Sequence, residues 1–124
     1  SIYGIGDLAA LVADTHKFEA HYLDSLIAPY PAGRQVYRDR SPLFHLEALS
    51  CPMLILQGAD DPVVPPAQAT ALADAVRAKG LQVRLRIFPG EGHGFRRAET
   101  IQAAAQESLD FLASVHGFVP ALSP

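Results

Sequence analysis

Leu54-Ile55-Leu56-Gln57-Gly58-Ala59-Asp60-Asp61-Pro62-Val63-Val64-Pro65 and, further along, Val83-Arg84-Leu85-Arg86-Ile87-Phe88-Pro89-Gly90-Glu91-Gly92-His93-Gly94-Phe95 decide the fold. Each stretch reads as a strand that runs into a polar, glycine-bearing loop. A carboxylate at the end of one strand and a histidine just past the next can meet at one rim of a parallel sheet. That pairing is the acid and base portion of a Ser-His-Asp arrangement, in which an ionised acid holds the imidazole tautomer and stabilises the imidazolium as it forms. Asp61 or Asp60 can supply the acid. His93, between two glycines that let the backbone turn sharply, can supply the base.

Working outward, the run from Met53 to Gln57 has no polar interruption before Gln57, as expected of a strand covered on both faces and central in a parallel sheet. Pro65 and Pro66 should then start a helix over about Ala67 to Ala78, with Ala69, Leu72, Ala73 and Val76 inward and Lys79-Gly80 as its stop. Gln82 to Phe88 alternates Val83, Leu85 and Ile87 against Gln82, Arg84 and Arg86, a strand nearer an edge with one wetter face. The spacing predicts a last helix over about Ala98 to Val115, burying Ile101, Ala104, Ala105, Leu109 and Leu112 and ending at Gly117. Strand, helix, strand, helix is a βαβ unit on a parallel sheet.

The N-terminal part reads as shorter pieces. Ser1 to Gly6 suits the tail of a strand entering a loop, and Asp7 can cap a helix through Leu8, Leu11 and Val12. A second helix is expected from about Lys17 to Ile27, with Phe18, Tyr22, Leu23 and Leu26 on one face, stopped by Pro29 and Pro31. Gly33 to Arg38 and then Ser41-Pro42 suggest short helical pieces, Ser41 capping its own turn. Ala32 to Leu49 is long for a connection, and such insertions often roof a site.

The 124 residues carry a formal net charge of -3 and 49% hydrophobic residues, which fits one domain with one core and argues against a nucleic-acid surface. There is no apolar run long enough for a spanning helix, so no membrane partner is expected. The opening residues, Ser1-Ile2-Tyr3-Gly4 onward, show no basic and apolar leader pattern, so no targeting signal is visible and the reading is of a soluble, cytoplasmic protein. A lone cysteine, Cys51, excludes an internal disulfide; before a strand it reads as a buried small hydrophobe, not a nucleophile. His16, His21, His45 and His116 read as surface or packing residues, and no pair has zinc-ligand spacing, so neither metal nor cofactor is expected. None of Ser1, Ser25, Ser41, Ser50, Ser108, Ser114 or Ser123 sits in a G-x-S-x-G elbow. Since α/β-hydrolases run Ser, then Asp, then His along the chain, the nucleophile is expected upstream of Ser1.

Leu56 to Gln68 together with Gly90 to Arg97 resembles the C-terminal part of the prolyl oligopeptidase family of serine peptidases, nearest to its acylaminoacyl-peptidase and dipeptidyl-aminopeptidase branch. The stretches Phe18 to Asp24 and Arg40 to His45 resemble that branch too. The resemblance implies an α/β fold: residues 1–124 as the C-terminal portion of an α/β-hydrolase catalytic domain, parallel strands with flanking helices, the serine elbow, oxyanion-hole segment and propeller lying elsewhere. In the family the catalytic Asp is the third residue after the strand-end glycine, which selects Asp61 over Asp60 and leaves Asp60 to shape the loop. The separation of 32 residues between Asp61 and His93 is typical of such enzymes. By the same resemblance Val64, with Tyr3, Ile5 and Leu8, is expected to line a substrate side-chain pocket, the alternative being that these residues are simply core. Val63 stands where several members place Arg or Asn against a substrate carbonyl.

The implied activity is hydrolysis of short peptides, with the chain inactive alone and completed by the missing N-terminal part of the same protein or by a homo-oligomer. A carboxylesterase or dienelactone-hydrolase-like enzyme and a non-catalytic, sheet-completing chain are the rival readings. Arg96 and Arg97 read as a solvated helix start, with steering of a substrate carboxylate as the alternative.

Overall fold

The computed structural model describes residues 1–14 and 22–121. Strand β1 (Met53–Gly58) pairs in parallel with β2 (Val83–Phe88), from Met53 opposite Val83 to Gly58 opposite Phe88. Helix α4 (Pro66–Ala78), which opens at the Pro65-Pro66 pair, connects them. On the other side of β1, Ile2 makes a parallel bridge to Leu56, the Leu56 N–H donating to the Ser1 carbonyl and the Tyr3 N–H to the Leu56 carbonyl. β1 is therefore flanked on both sides, while β2 pairs on one side only among the described residues.

The two faces of this sheet have different covers. Ile55 packs with Ala69, Leu72, Ala73 and Val76 of α4, and Leu43, Leu46, Leu49, Leu81 and Leu85 close around them. Full burial of a side chain the size of Ile55, Leu72 or Val76 contributes roughly 1.5–3 kcal/mol. The other face sets Leu56 and Phe88 against Ala104 of α5 (Ala98–His116), which ends on Gly117 in the left-handed conformation, φ 71°. Arg84 and Arg86, expected on a wetter face, reach Glu107 of α5 at 3.9 and 3.6 Å. Their charge meets a helix edge.

Several expectations are corrected. α5 buries Thr100, Ala104, Phe111 and Ala113, whereas Ile101 and Leu112 lie about half exposed. The helix carries apolar residues on more than one side, and the sheet meets the side that bears Phe111, over which Arg84 lies. Cys51 is exposed, because it sits on the bend ahead of Pro52 before β1 enters the core.

Ser41 makes no cap to its own turn, Pro42–Phe44. Its fully buried hydroxyl accepts the Leu8 N–H and donates to the Tyr37 carbonyl, so it serves helix α1 (Leu8–Asp14) instead. Asp7 caps α1 as expected, its Oδ1 accepting the Ala9 and Ala10 N–H groups. The second helix is described only as α2 (Tyr22–Leu26); its expected first turn, with His16, Phe18 and His21, lies outside the described residues. Residues 32–49, with helix α3 (Arg34–Asp39) and two short turns, pack on the core through Leu43, Leu46 and Leu49, and none of them lines a cavity that His93 borders. Lys79 fastens this segment by donating to the carbonyls of Leu46, Glu47 and Leu49. Among the described residues no helix is long and apolar enough to cross a membrane.

Candidate active site

Both loops leave the same end of the sheet, and a glycine lets them touch. A Cβ on Gly58 would run into the carbonyl oxygens of Glu91 and Gly92, so only glycine lets the end of β1 lie directly under the second loop. The Asp60 N–H donates to the Glu91 carbonyl at 2.9 Å and closes the contact. Gly94, with φ 121°, then turns the chain after His93.

Within this frame His93 Nδ1 lies 2.9 Å from Asp61 Oδ2. An ionised carboxylate only accepts, so Nδ1 carries the proton and donates. The Asp61 side chain is wholly buried and the His93 side chain is 40% exposed. Asp61 Oδ1 accepts the Val63 and Val64 N–H groups, both at 2.9 Å, an Asx-type turn that Pro62 helps to set. The Gln57 amide donates to Oδ2 at 3.0 Å. Burial pushes the Asp61 carboxyl up, yet the Val64 N–H, the His93 ring, the Val63 N–H and the Gln57 amide together hold it below the usual carboxylate value. Asp60 stays exposed and enters through its backbone, so of the two aspartates Asp61 meets the histidine.

His93 is also held from the side. Its ring lies 5.1 Å from that of Tyr3, which in turn stands 4.9 Å from Phe95, and the Tyr3 hydroxyl accepts the Phe95 N–H at 2.7 Å. Behind the loop the Glu91 carboxylate accepts the Arg96 and Arg97 N–H groups at 2.9 and 3.1 Å and so ties the loop to the two residues that lead into α5. The Arg96 N–H holds the Glu91 carboxyl below its ordinary value against the opposing effect of burial. The Arg97 N–H, the Thr100 hydroxyl and the Arg97 charge add to it. Neither Gln57 nor Glu91 was singled out from sequence. The available signals were a polar residue closing an otherwise apolar strand and an acid two places before the histidine.

His93 borders two cavities. One, of about 340 Å³, is apolar and lined by Tyr3, Ile5, Leu11, Val63 and Val64, with α2 across its mouth. Of the expected pocket residues Tyr3, Ile5 and Val64 are there and Leu8 is not, its place being taken by Leu11. The second, of about 560 Å³, runs along Pro62 and Gly90 to Arg97. Among the described residues neither has a serine, threonine or cysteine in its wall, and no hydrogen bond is made by His93 Nε2. No cluster of three or more His, Cys, Asp or Glu side chains there is placed to hold a metal ion.

Chemically, the arrangement is a buried acid bonded to a half-exposed imidazole whose second nitrogen is free. The model of the Prolyl oligopeptidase family matches residues 1–118. Dipeptidyl aminopeptidase BIII of Pseudoxanthomonas mexicana is 33% identical over 121 residues, 94% of this chain and 18% of that protein. Esterase LipQ of Mycobacterium tuberculosis is 28% identical over 120 residues, 93% of this chain and 28% of the esterase. A puromycin-hydrolyzing peptidase of Mycobacterium tuberculosis superposes on 98% of this chain and 19% of its own length, with a TM-score of 0.92 and 42% identity. The chain thus spans between 18% and 28% of the length of these relatives. Its parallel strands and flanking helices match a portion of an α/β-hydrolase structure, as the two loop motifs led us to expect.

Proposed function

This chain belongs to the prolyl oligopeptidase family, and from that premise we propose that it carries the acid and base of a Ser-His-Asp peptidase. Asp61 is the acid, His93 is the base, and the serine lies outside residues 1–124. The observation that carries the reading is the 2.9 Å bond between His93 Nδ1 and the buried Asp61 carboxylate, with Nε2 left open. In the complete enzyme Nε2 takes the serine proton as Oγ attacks the scissile carbonyl. It then hands that proton to the leaving amine, and water releases the acyl group by the reverse relay. Asp61 keeps the proton on Nδ1 throughout.

The substrate class is short peptides or aminoacyl amides, consistent with what the similar aminopeptidase and puromycin-hydrolyzing peptidase are named for. The apolar cavity beside His93, with Val63 and Val64 on its wall, suits an apolar substrate side chain. Without its serine the chain is inactive. We expect it to fail to react with a fluorophosphonate, and the polypeptide that carries it together with a serine elbow to react and to hydrolyse aminoacyl amides. If His93→Ala in that polypeptide leaves the labelling rate and turnover intact, the assignment is wrong. The likeness to esterase LipQ supports one second reading, ester hydrolysis by the same pair, and the ratio of kcat/KM for matched amide and ester substrates separates the two.

A further inference from the structure

Gln57 is fully buried next to the end of β1, after four apolar residues, and its environment is one-sided. Its side-chain nitrogen lies 3.0 Å from Asp61 Oδ2, 3.0 Å from the Val64 carbonyl and 3.3 Å from the Gly58 carbonyl. All three partners are oxygens with no hydrogen to give, so the amide must present its NH₂ end; turned round, its oxygen would face three like partial charges. The other end has nothing comparable, for Gln57 Oε1 is buried with no hydrogen-bond partner among the described residues. A buried acceptor left unpaired is a cost that a space-filling side chain such as Leu would avoid.

We propose that Gln57 is a positioning residue for the Asp61–His93 pair, its amide N–H fixing Asp61 Oδ2 toward the imidazole and keeping the histidine proton on Nδ1. Among the described residues the Asp61 carboxylate has four donors, two on each oxygen, and Gln57 is the only side chain besides His93 among them. Without that donor the buried carboxyl binds a proton more readily. A protonated Asp61 offers an O–H to Nδ1, which drives the ring proton to Nε2, the nitrogen that must be bare to accept from a hydroxyl. Other titratable groups nearby are engaged elsewhere or turned out. The Tyr3 hydroxyl is on the Phe95 N–H, the Glu91 carboxylate is on the Arg96 and Arg97 N–H groups, and Asp60 is exposed.

The kinetic part of this inference rests on His93 being the base; the tautomer does not. The test is nitrogen NMR of the chain with ¹⁵N-labelled histidine, which reads the balance of Nδ1–H and Nε2–H forms with no serine present. Gln57→Met keeps the length and removes the donor, and should move that balance toward Nε2–H by about tenfold, the scale of a lost hydrogen bond to a charged group. Gln57→Glu should make the same signal depend on pH, because a carboxyl donates only while it holds its proton. In the serine-bearing polypeptide both variants should lower kcat more than they change KM, with the kcat/KM profile of Gln57→Glu falling additionally as pH rises.

A folded Gln57→Met with an unchanged tautomer balance overturns the proposal. So does a Gln57→Glu signal that tracks the parent at every pH, which also serves if Gln57→Met does not fold. Loss of activity in His93→Ala alongside an unchanged tautomer balance in the Gln57 variants would sink this inference and leave the proposed function standing.

Discussion

Two loops leave the same end of the sheet, each holding a buried carboxylate that accepts two successive backbone N–H groups, and they use it differently. Asp61 takes the Val63 and Val64 N–H groups on one oxygen and turns the other to His93. Glu91 gives both oxygens to the Arg96 and Arg97 N–H groups. The first is half structural and half presented to the imidazole; the second is wholly structural, tying the loop that bears His93 to the start of α5. A buried, hydrogen-bonded acid is therefore no sign of a reacting one. What it leaves unshared decides.

The contrast is broken most sharply by Asp61→Asn. In the serine-bearing polypeptide it should lower kcat by about 10⁴-fold, because an amide can hold the wrong histidine tautomer while keeping the shape. Steady-state kinetics with an aminoacyl amide measures it, and a loss below tenfold would place Asp61 in the same class as Glu91. Gly58→Ala comes next, since its Cβ meets two backbone carbonyls that can yield only by parting the loops. We expect a cost of about 1–3 kcal/mol by denaturant melting, the scale of overpacking, together with a weakened Asp61–His93 bond.

Glu91→Gln should act on stability first. Both carboxyls sit below their ordinary values in the folded chain, so each contributes stability that is complete above the unfolded values of 3.8 and 4.5. That stability is lost as pH falls through the lower folded values. Melts between pH 3 and 7 should show the parent losing stability steeply at the acid end. Glu91→Gln should be less stable at neutral pH, by several degrees in Tm, and flatter below pH 4.5. Equal acid limbs in parent and variant would contradict the tethering role of the Glu91 carboxylate. The smallest effect belongs to Cys51→Ser, far from either loop and exposed, which should stay within about 0.5 kcal/mol of the parent.

Much of this was legible in the chain. β1, α4, β2 and α5 fall within a residue or so of the sequence reading, because continuous apolar runs and proline or glycine stops act locally, as Pro65-Pro66 and Gly117 do. That an aspartate of the first loop could meet His93 was legible too, since parallel neighbouring strands deliver their loops to the same end; that it is Asp61 and not Asp60 came from the resemblance. Hidden were choices made by packing. Which side of α5 meets the sheet depends on Phe88 and Leu56, not on the spacing of Ile101 and Leu112. The Ser41 hydroxyl serves Leu8, 33 positions away, and Gln68 clasps the Gly6 and Asp7 N–H groups through its Oε1. A residue whose partner is remote looks, in sequence, like any other polar residue.

Tyr3 has a consequence of its own. Its backbone occupies the left-handed region, φ 53°, uncommon for a bulky residue, and its ring and hydroxyl fasten the segment beside β1 to His93 and Phe95. With Asp61 behind and Tyr3 alongside, one hydrogen bond and one ring contact hold the imidazole in its rotamer. The freedom of the ring is surrendered once, as the chain folds, and not again at each encounter with a substrate.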